Sequence, residues 1–233
     1  MTDFINMKGF DMKIFVKTKE LKNVKPRDIR NLLGSIVDNE FKDEVMWHKR
    51  KPPKIIYAKP YKKGFEIINY INDYRLMHHI LKKLESIKNN IFLGGKKIKI
   101  EDIELKSEDF TIPQPGLYFY QTRTPIILST NPVEYKIVYA TNTQNKKDLI
   151  KYIQHRIIHS TKLFAKEYFN IDLDYLDDLN LIIQENDIRL VDYKEGLKKY
   201  QAVYLKLASN YSLPRFVGYK IGLGWGELKE KNI

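Results

Sequence analysis

The order in which apolar periodicities follow one another constrains the fold most. Residues 12–21 (MKIFVKTKEL) alternate Ile14 and Val16 against lysines, the period of a half-buried strand. Pro26 then opens KPRDIRNLLGSIVDNEF, in which Ile29, Leu32, Leu33, Ile36 and Val37 fall on one helical face. A basic, proline-broken stretch follows (VMWHKRKPPK), then a short strand at 55–59, and Gly64 turns the chain into another strand at 65–70. Asn72 or Asp73 caps a second helix whose stripe is Leu76, Met77, Ile80, Leu81, Leu84 and Ile87. The pair Gly94 and Gly95 ends that region, and residues 97–105 (KIKIEDIEL) return as a strand.

Strand–helix–strand–strand–helix–strand is the order of a ferredoxin-like unit, which packs two helices on one face of an antiparallel sheet. The segment TIPQPG at 111–116, with two prolines and a glycine, reads as a junction, so domains are expected at 1–108 and 109–233. Beyond it, strands are read at 117–122, 125–129 and 135–139, and a long helix at 147–169. Further strands follow at 179–184, 188–193 and 201–208, and the chain closes on PRFVGYKIGLGWGEL. The expected class is α+β: two tandem ferredoxin-like (RRM-like) domains, with a C-terminal glycine-rich loop at 218–226. The second domain is degenerate, its second helix weak or missing.

Charge points to the partner. Lysine and arginine exceed aspartate and glutamate by 12, which suits a polyanion, with nucleic acid ahead of an anionic membrane surface. Half of that excess sits in residues 42–63, where eight lysines and arginines face only Asp43 and Glu44. Residues 170–195 are acidic instead. No apolar run approaches the ~20 residues of a membrane-spanning helix, and the acid-bearing start does not read as a secretory signal. Cysteine is absent, which excludes disulfides and thiolate metal sites. A cytoplasmic protein is expected.

Gly218, Gly222, Gly224 and Gly226 lie close together, with Arg215 and Lys220 around them. Such glycines let backbone N–H groups converge on an anion, or they serve a tight hairpin; both readings stand. Trp225 stacks a base or packs on the core. The run has no GxxxxGK[ST] pattern and opens no helix, so it is not a nucleotide loop. His155 and His159 have helical i, i+4 spacing, but no glutamate follows the first as in HExxH, and no cysteine offers a third ligand. Lys151, His155, His159, Lys162 and Lys166 instead form one stripe, suited to a phosphate backbone or simply to solvent. No metal and no cofactor is expected. His78 and His79 read as structural, and DLDYLDD at 172–178 as an exposed acidic turn, because it lacks the EF-hand positions.

A glycine-rich hydrophobic loop at the extreme C-terminus, after two ferredoxin-like units, resembles the repeat-associated protein superfamily of CRISPR systems. Within it the chain is most similar to the endoribonucleases that cut precursor CRISPR RNA within each repeat. The IRNLLGSIV helix, the histidine-bearing FKDEVMWHKRK, the tyrosine-bearing KIIYAKPY and the central TPIILS before a long helix carry the rest of the likeness. The resemblance implies metal-independent cleavage: the ribose 2′-OH attacks the adjacent phosphodiester, leaving a 2′,3′-cyclic phosphate and a 5′-OH. His48 would be base or acid, Tyr57 its partner, and Lys51 or Lys54 the cation for the phosphorane. Tyr57 also reads as an ordinary half-buried strand aromatic. RNA would be held by Lys49, Arg50, Lys59, the 151–162 stripe (Lys151, His155, His159, Lys162) and the tail. The implied partners are repeat RNA and other CRISPR effector subunits, with a homodimer kept open. The alternative is a non-catalytic RNA-binding subunit of a CRISPR ribonucleoprotein.

Overall fold

The structure is a computed structural model; it describes residues 8–18, 24, 26–46, 55–57, 63–69, 74–128, 146–171, 173–192, 199–219, 221 and 224–231. The chain divides into two compact units, the first formed by residues 3–111 with 222–224 and the second by 112–221 with 225–233.

In the first unit, strand β1 (Lys8–Lys17) is followed by helices α1 (Pro26–Ile36) and α2 (Asn39–Met46), then strands β2 (Ile55–Tyr57) and β3 (Gly64–Asn69). Helix α3 (Tyr74–Ile87), the hairpin β4 (Ile91–Leu93) and β5 (Lys96–Ile98), and strand β6 (Asp102–Thr111) complete it. The sheet runs β2-β3-β1-β6 with every pair antiparallel, so the first and last long strands are neighbours. Alternation puts Met12, Ile14 and Val16 of β1 into one core with Ile29 and Leu33 of α1 and Leu76, Met77, Ile80 and Leu84 of α3. Each of the larger side chains contributes about 1.5–3 kcal/mol by burial.

The single helix expected over 26–41 is two. The Val37 N–H donates to Leu33 O at 3.0 Å and closes α1, and the Phe41 N–H donates to Asp38 O at 3.0 Å to start α2. The break is held from α3. Asp38 donates its N–H to His79 Nε2 (3.2 Å), its carboxylate meets Lys83 Nζ at 2.8 Å, and His79 packs on the Phe41 ring at 4.6 Å. His79 is therefore structural. The Lys83 ammonium holds the Asp38 carboxyl below the ordinary carboxylate range. The Met46 side chain of α2 lies over Gly34 of α1, where a Cβ would stand 2.2 Å from its Sδ and displace it. The strand expected over 97–105 is also divided, between β5 and β6.

The second unit contains β7 (Pro115–Thr122), β8 (Ile126–Ile127), helix α4 (Lys146–Phe169) and a 3-10 turn (Leu173–Leu176). Strands β9 (Leu181–Asp192), β10 (Lys199–Tyr211) and β11 (Leu228–Glu230) follow. β10 is central: β9 pairs one edge, while β7 and β8 share the other, and β11 pairs the far side of β7. β9 replaces the two strands expected at 179–184 and 188–193. The polar run QEND does not turn, because it pairs with β10, with a register shift there and a Lys206–Glu185 ion pair of 2.8 Å. The strand expected at 135–139 lies outside the described residues. Mixed helices and antiparallel strands make the chain α+β. No described helix is long and apolar enough to cross a membrane.

Candidate nucleic-acid interface

Helix α4 organises the second unit because its three faces do different work. Leu149, Ile153, Ile157, Thr161, Phe164 and Ala165 recur at three- and four-residue intervals and are buried. Thr161, though polar, is satisfied by donating its hydroxyl to Ile157 O at 2.9 Å. A second face presents the predicted stripe: Lys151, His155, His159 and Lys166 are exposed, and Lys162 is half-buried. From Lys151 to Lys162 the helix rises about 16 Å. The rings of His155 and His159 lie nearly parallel, 4° apart, with centroids separated by 6.2 Å. Lys162 is paired with Asp177, so one cation of the stripe is already met by the acidic turn. Among the described residues, no three His, Cys, Asp or Glu side chains are grouped so as to hold a metal ion.

The acidic turn has a structural part of its own. The Tyr211 hydroxyl donates to Asp178 Oδ1 at 2.7 Å, and the Asn210 amide donates to Asp178 O at 2.8 Å, which ties the turn to the end of β10.

The third face of α4 receives the glycine-rich tail. The Gly218 N–H donates to Ser160 Oγ at 3.0 Å. The Arg156 guanidinium donates to the hydroxyls of Tyr219 and Tyr152, and it lies over both rings, 4.9 and 5.0 Å from their centroids. Such a planar cation between two phenols gains both charge–quadrupole attraction and hydrogen bonding. The Tyr152 hydroxyl donates in turn to Leu128 O at 3.2 Å. Tyr152, Arg156 and Ser160 stand at i, i+4 and i+8, which was visible in the sequence, but Tyr219 is 63 residues beyond Arg156 and nothing local announces it.

The tail folds back on itself and on β8. Val217 N–H reaches Gly226 O at 3.0 Å, Gly226 N–H reaches Pro125 O at 3.0 Å, and Tyr219 N–H reaches Ile127 O at 3.2 Å. Gly218 and Gly226 have φ of +90° and +75°, and a Cβ would lie 2.5 Å from Ile126 Cγ2 at the first and 1.9 Å from Val217 O at the second. Both positions require glycine on two counts. Gly224 has φ of +73° in the same turn. Trp225 is half-buried and packs with Tyr219 on Ile127 and Ala202. Arg215 is turned inward: its Nη2 and Nε lie 2.7 and 3.0 Å from one oxygen of Glu227, whose side chain is 8% exposed. Arg123 reaches the same oxygen at 3.4 Å. Lys220 and Gly222 lie outside the described residues.

In the first unit, Tyr57 ends β2, the edge strand, directly opposite Ile67 in the register. His48, Lys49, Arg50, Lys51 and Lys54, between α2 and β2, lie outside the described residues, as does Lys59.

No protein-family model matches the sequence, and no curated protein matches it significantly. Solved structures do match over almost the whole chain. A crystal structure of Cas6b superposes with a TM-score of 0.71 at 12% identity, covering 97% of this chain and 100% of that one. The fold is that of the Cas6 proteins. A second crystal structure, of the CRISPR RNA processing endoribonuclease Cas6b, gives 0.62 at 14% identity over 95% of this chain and 100% of that one. A RAMP protein binding different RNA substrates gives 0.59 at 12% identity, over 95% and 100%. With so few identical residues, the likeness to Cas6 resides in the arrangement of elements, and this agrees with the CRISPR resemblance carried by the sequence segments.

Proposed function

We propose that this chain is a metal-independent endoribonuclease that cuts CRISPR repeat RNA in precursor transcripts. The observation that carries this reading is the Cas6 fold spanning nearly the whole chain, in a molecule with twelve excess positive charges. The two units are then tandem ferredoxin-like domains: each has four strands in the order last-first-third-second, β6-β1-β3-β2 and β11-β7-β10-β9, and the second lacks the second helix among its described residues.

Chemistry falls to the segment joining α2 to β2. A base takes the proton from the ribose 2′-OH, the 2′ oxygen bonds to the adjacent phosphorus, and the bond from phosphorus to the 5′ oxygen breaks. An acid then protonates the leaving oxygen, which gives a 2′,3′-cyclic phosphate and a 5′-OH. His48 and Tyr57 share the acid and base work, and Lys51 or Lys54 offsets the charge of the phosphorane. The nucleophile belongs to the substrate, so no metal-activated water is required. Lys49, Arg50, Lys59 and the exposed stripe of α4 hold phosphates. The amides of Gly218 and Gly226 are engaged inside the unit, so RNA contact by the tail falls to the residues between them, Lys220, Gly222, Gly224 and Trp225.

Cleavage of the repeat RNA of the encoding locus should proceed in excess EDTA and stop when the nucleotide at the cut carries a 2′-deoxyribose. Normal cutting of the deoxy substrate would exclude the mechanism. Salt-sensitive binding with no cleavage under any condition would leave a non-catalytic RNA-binding subunit. His48→Ala should lower the single-turnover rate at least 100-fold while affinity changes little; an unchanged rate would remove His48 from the site.

A further inference from the structure

The first unit has an open cavity of about 890 Å³, and none of its described lining residues is among those assigned to chemistry. Its lining is Thr18, Lys88, Asn89, Lys97, Ile98, Lys99, Ile100 and Glu101, drawn from the end of β1, the exit of α3 and the strand leaving β5. Lys97 and Lys99 flank the buried Ile98, so alternation sends both to the outer side. Lys88 is brought beside them because its carbonyl accepts the Ile100 N–H at 3.0 Å. The wall is fixed by two more backbone bonds, Glu101 N–H to Lys17 O at 2.9 Å and Thr18 N–H to Lys63 O at 3.0 Å. All three lysines are exposed, and Glu101 is the one acid of the lining among the described residues. Thr18 is 1% exposed, and its hydroxyl has no hydrogen-bond partner among the described residues.

We propose that this cavity is a docking site for the RNA backbone, in which Lys88, Lys97 and Lys99 hold consecutive phosphates. Such a site presupposes that the chain binds RNA, as proposed above. Lysines without arginine suit single-charge phosphate oxygens better than the forked geometry of a carboxylate. Among the described residues the lining has no aromatic side chain on which a base could stack, and no histidine. The contact is therefore independent of sequence: it adds affinity and register, not base recognition.

Lysine acylation followed by mass spectrometry tests this on the wild-type chain. Bound repeat RNA should slow acylation of Lys88, Lys97 and Lys99 at least fivefold while Lys82 and Lys231, exposed elsewhere, react as in the free protein. In Lys88→Ala/Lys97→Ala/Lys99→Ala, the slope of log affinity against log salt should fall in magnitude by about 2. RNA binding with the three lysines reacting at the free rate, or with an unchanged slope, overturns the site and leaves the RNA-binding reading intact. Failure of the wild-type chain to bind RNA at all overturns both. Equal protection by inorganic phosphate at the same phosphate concentration would make the cavity a simple anion pocket and overturn a polynucleotide site.

Discussion

The two units use the same element types but hold themselves together over different distances. In the first, helices stack on a four-stranded sheet, and the core is a single cluster from Met12 to Ile100. In the second, the described elements leave α4 to do most of the organising, and the unit is closed by the tail, whose β11 pairs with β7 more than a hundred residues earlier. A unit of the first kind is set by apolar stripes. A unit of the second kind depends on a few specific long-range fits, chiefly at Gly226, Arg156 and Glu227.

Substitutions can break that comparison. The largest expected effect is in the first unit: Leu84→Ala removes a fully buried side chain and should cost about 3–5 kcal/mol by urea denaturation. A cost below 1 kcal/mol would mean that α3 is not the core element described. Gly226→Ala should cost the second unit about 3 kcal/mol, because the new Cβ meets Val217 O and φ is positive. Hydrogen exchange should locate that loss in β7, β8 and the tail; an equal loss in β1 and β3 would contradict two separate cores. Arg156→Lys keeps the charge but loses the planar contact with Tyr152 and Tyr219, at a cost of about 1–2 kcal/mol. Unchanged exchange at Tyr219 in that variant would show that the tail does not need the guanidinium.

The smallest effect is one of pH. Lys106 and Lys17 bracket Glu104 and hold its carboxyl down to about 2, and Lys83 depresses Asp38. Lowered carboxyl values stabilise the folded form above the unfolded pKa, and that contribution is lost as pH falls through the folded value. Protection of β1 and β6 amides should therefore decline between about pH 4.5 and pH 2, and Glu104→Gln should flatten that decline. Asp38 is exposed and Glu104 is half-buried at the sheet surface, so the change is small.

Much of the first unit was legible because Leu76, Met77, Ile80 and Leu84 repeat at helical spacing, and Ile14 and Val16 alternate, without reference to anything distant. The break at Asp38 was not, since the apolar stripe runs on through Val37 and the partners that stop the helix, His79 and Lys83, are on α3. The polar Glu185, Asn186 and Asp187 separated two expected strands, yet pairing with β10 keeps them extended in one. At the candidate interface, the exposed stripe of α4 was legible from spacing. Arg156, Ser160 and Glu227 were not, because their roles exist only once the tail has folded back. Arg215, expected to meet RNA, has a carboxylate partner in Glu227 that spacing could not reveal.

Helix α4 carries its core contacts, its tail anchors and its exposed cations on a single axis. One residue inserted between Leu149 and His155 would rotate everything beyond it by about 100°. The imidazoles would swing toward the interior and Ser160 away from Gly218 in the same movement. Length at this place is therefore less negotiable than the identity of any one side chain on it, and homologues should vary freely in the cations while keeping the number of residues between them.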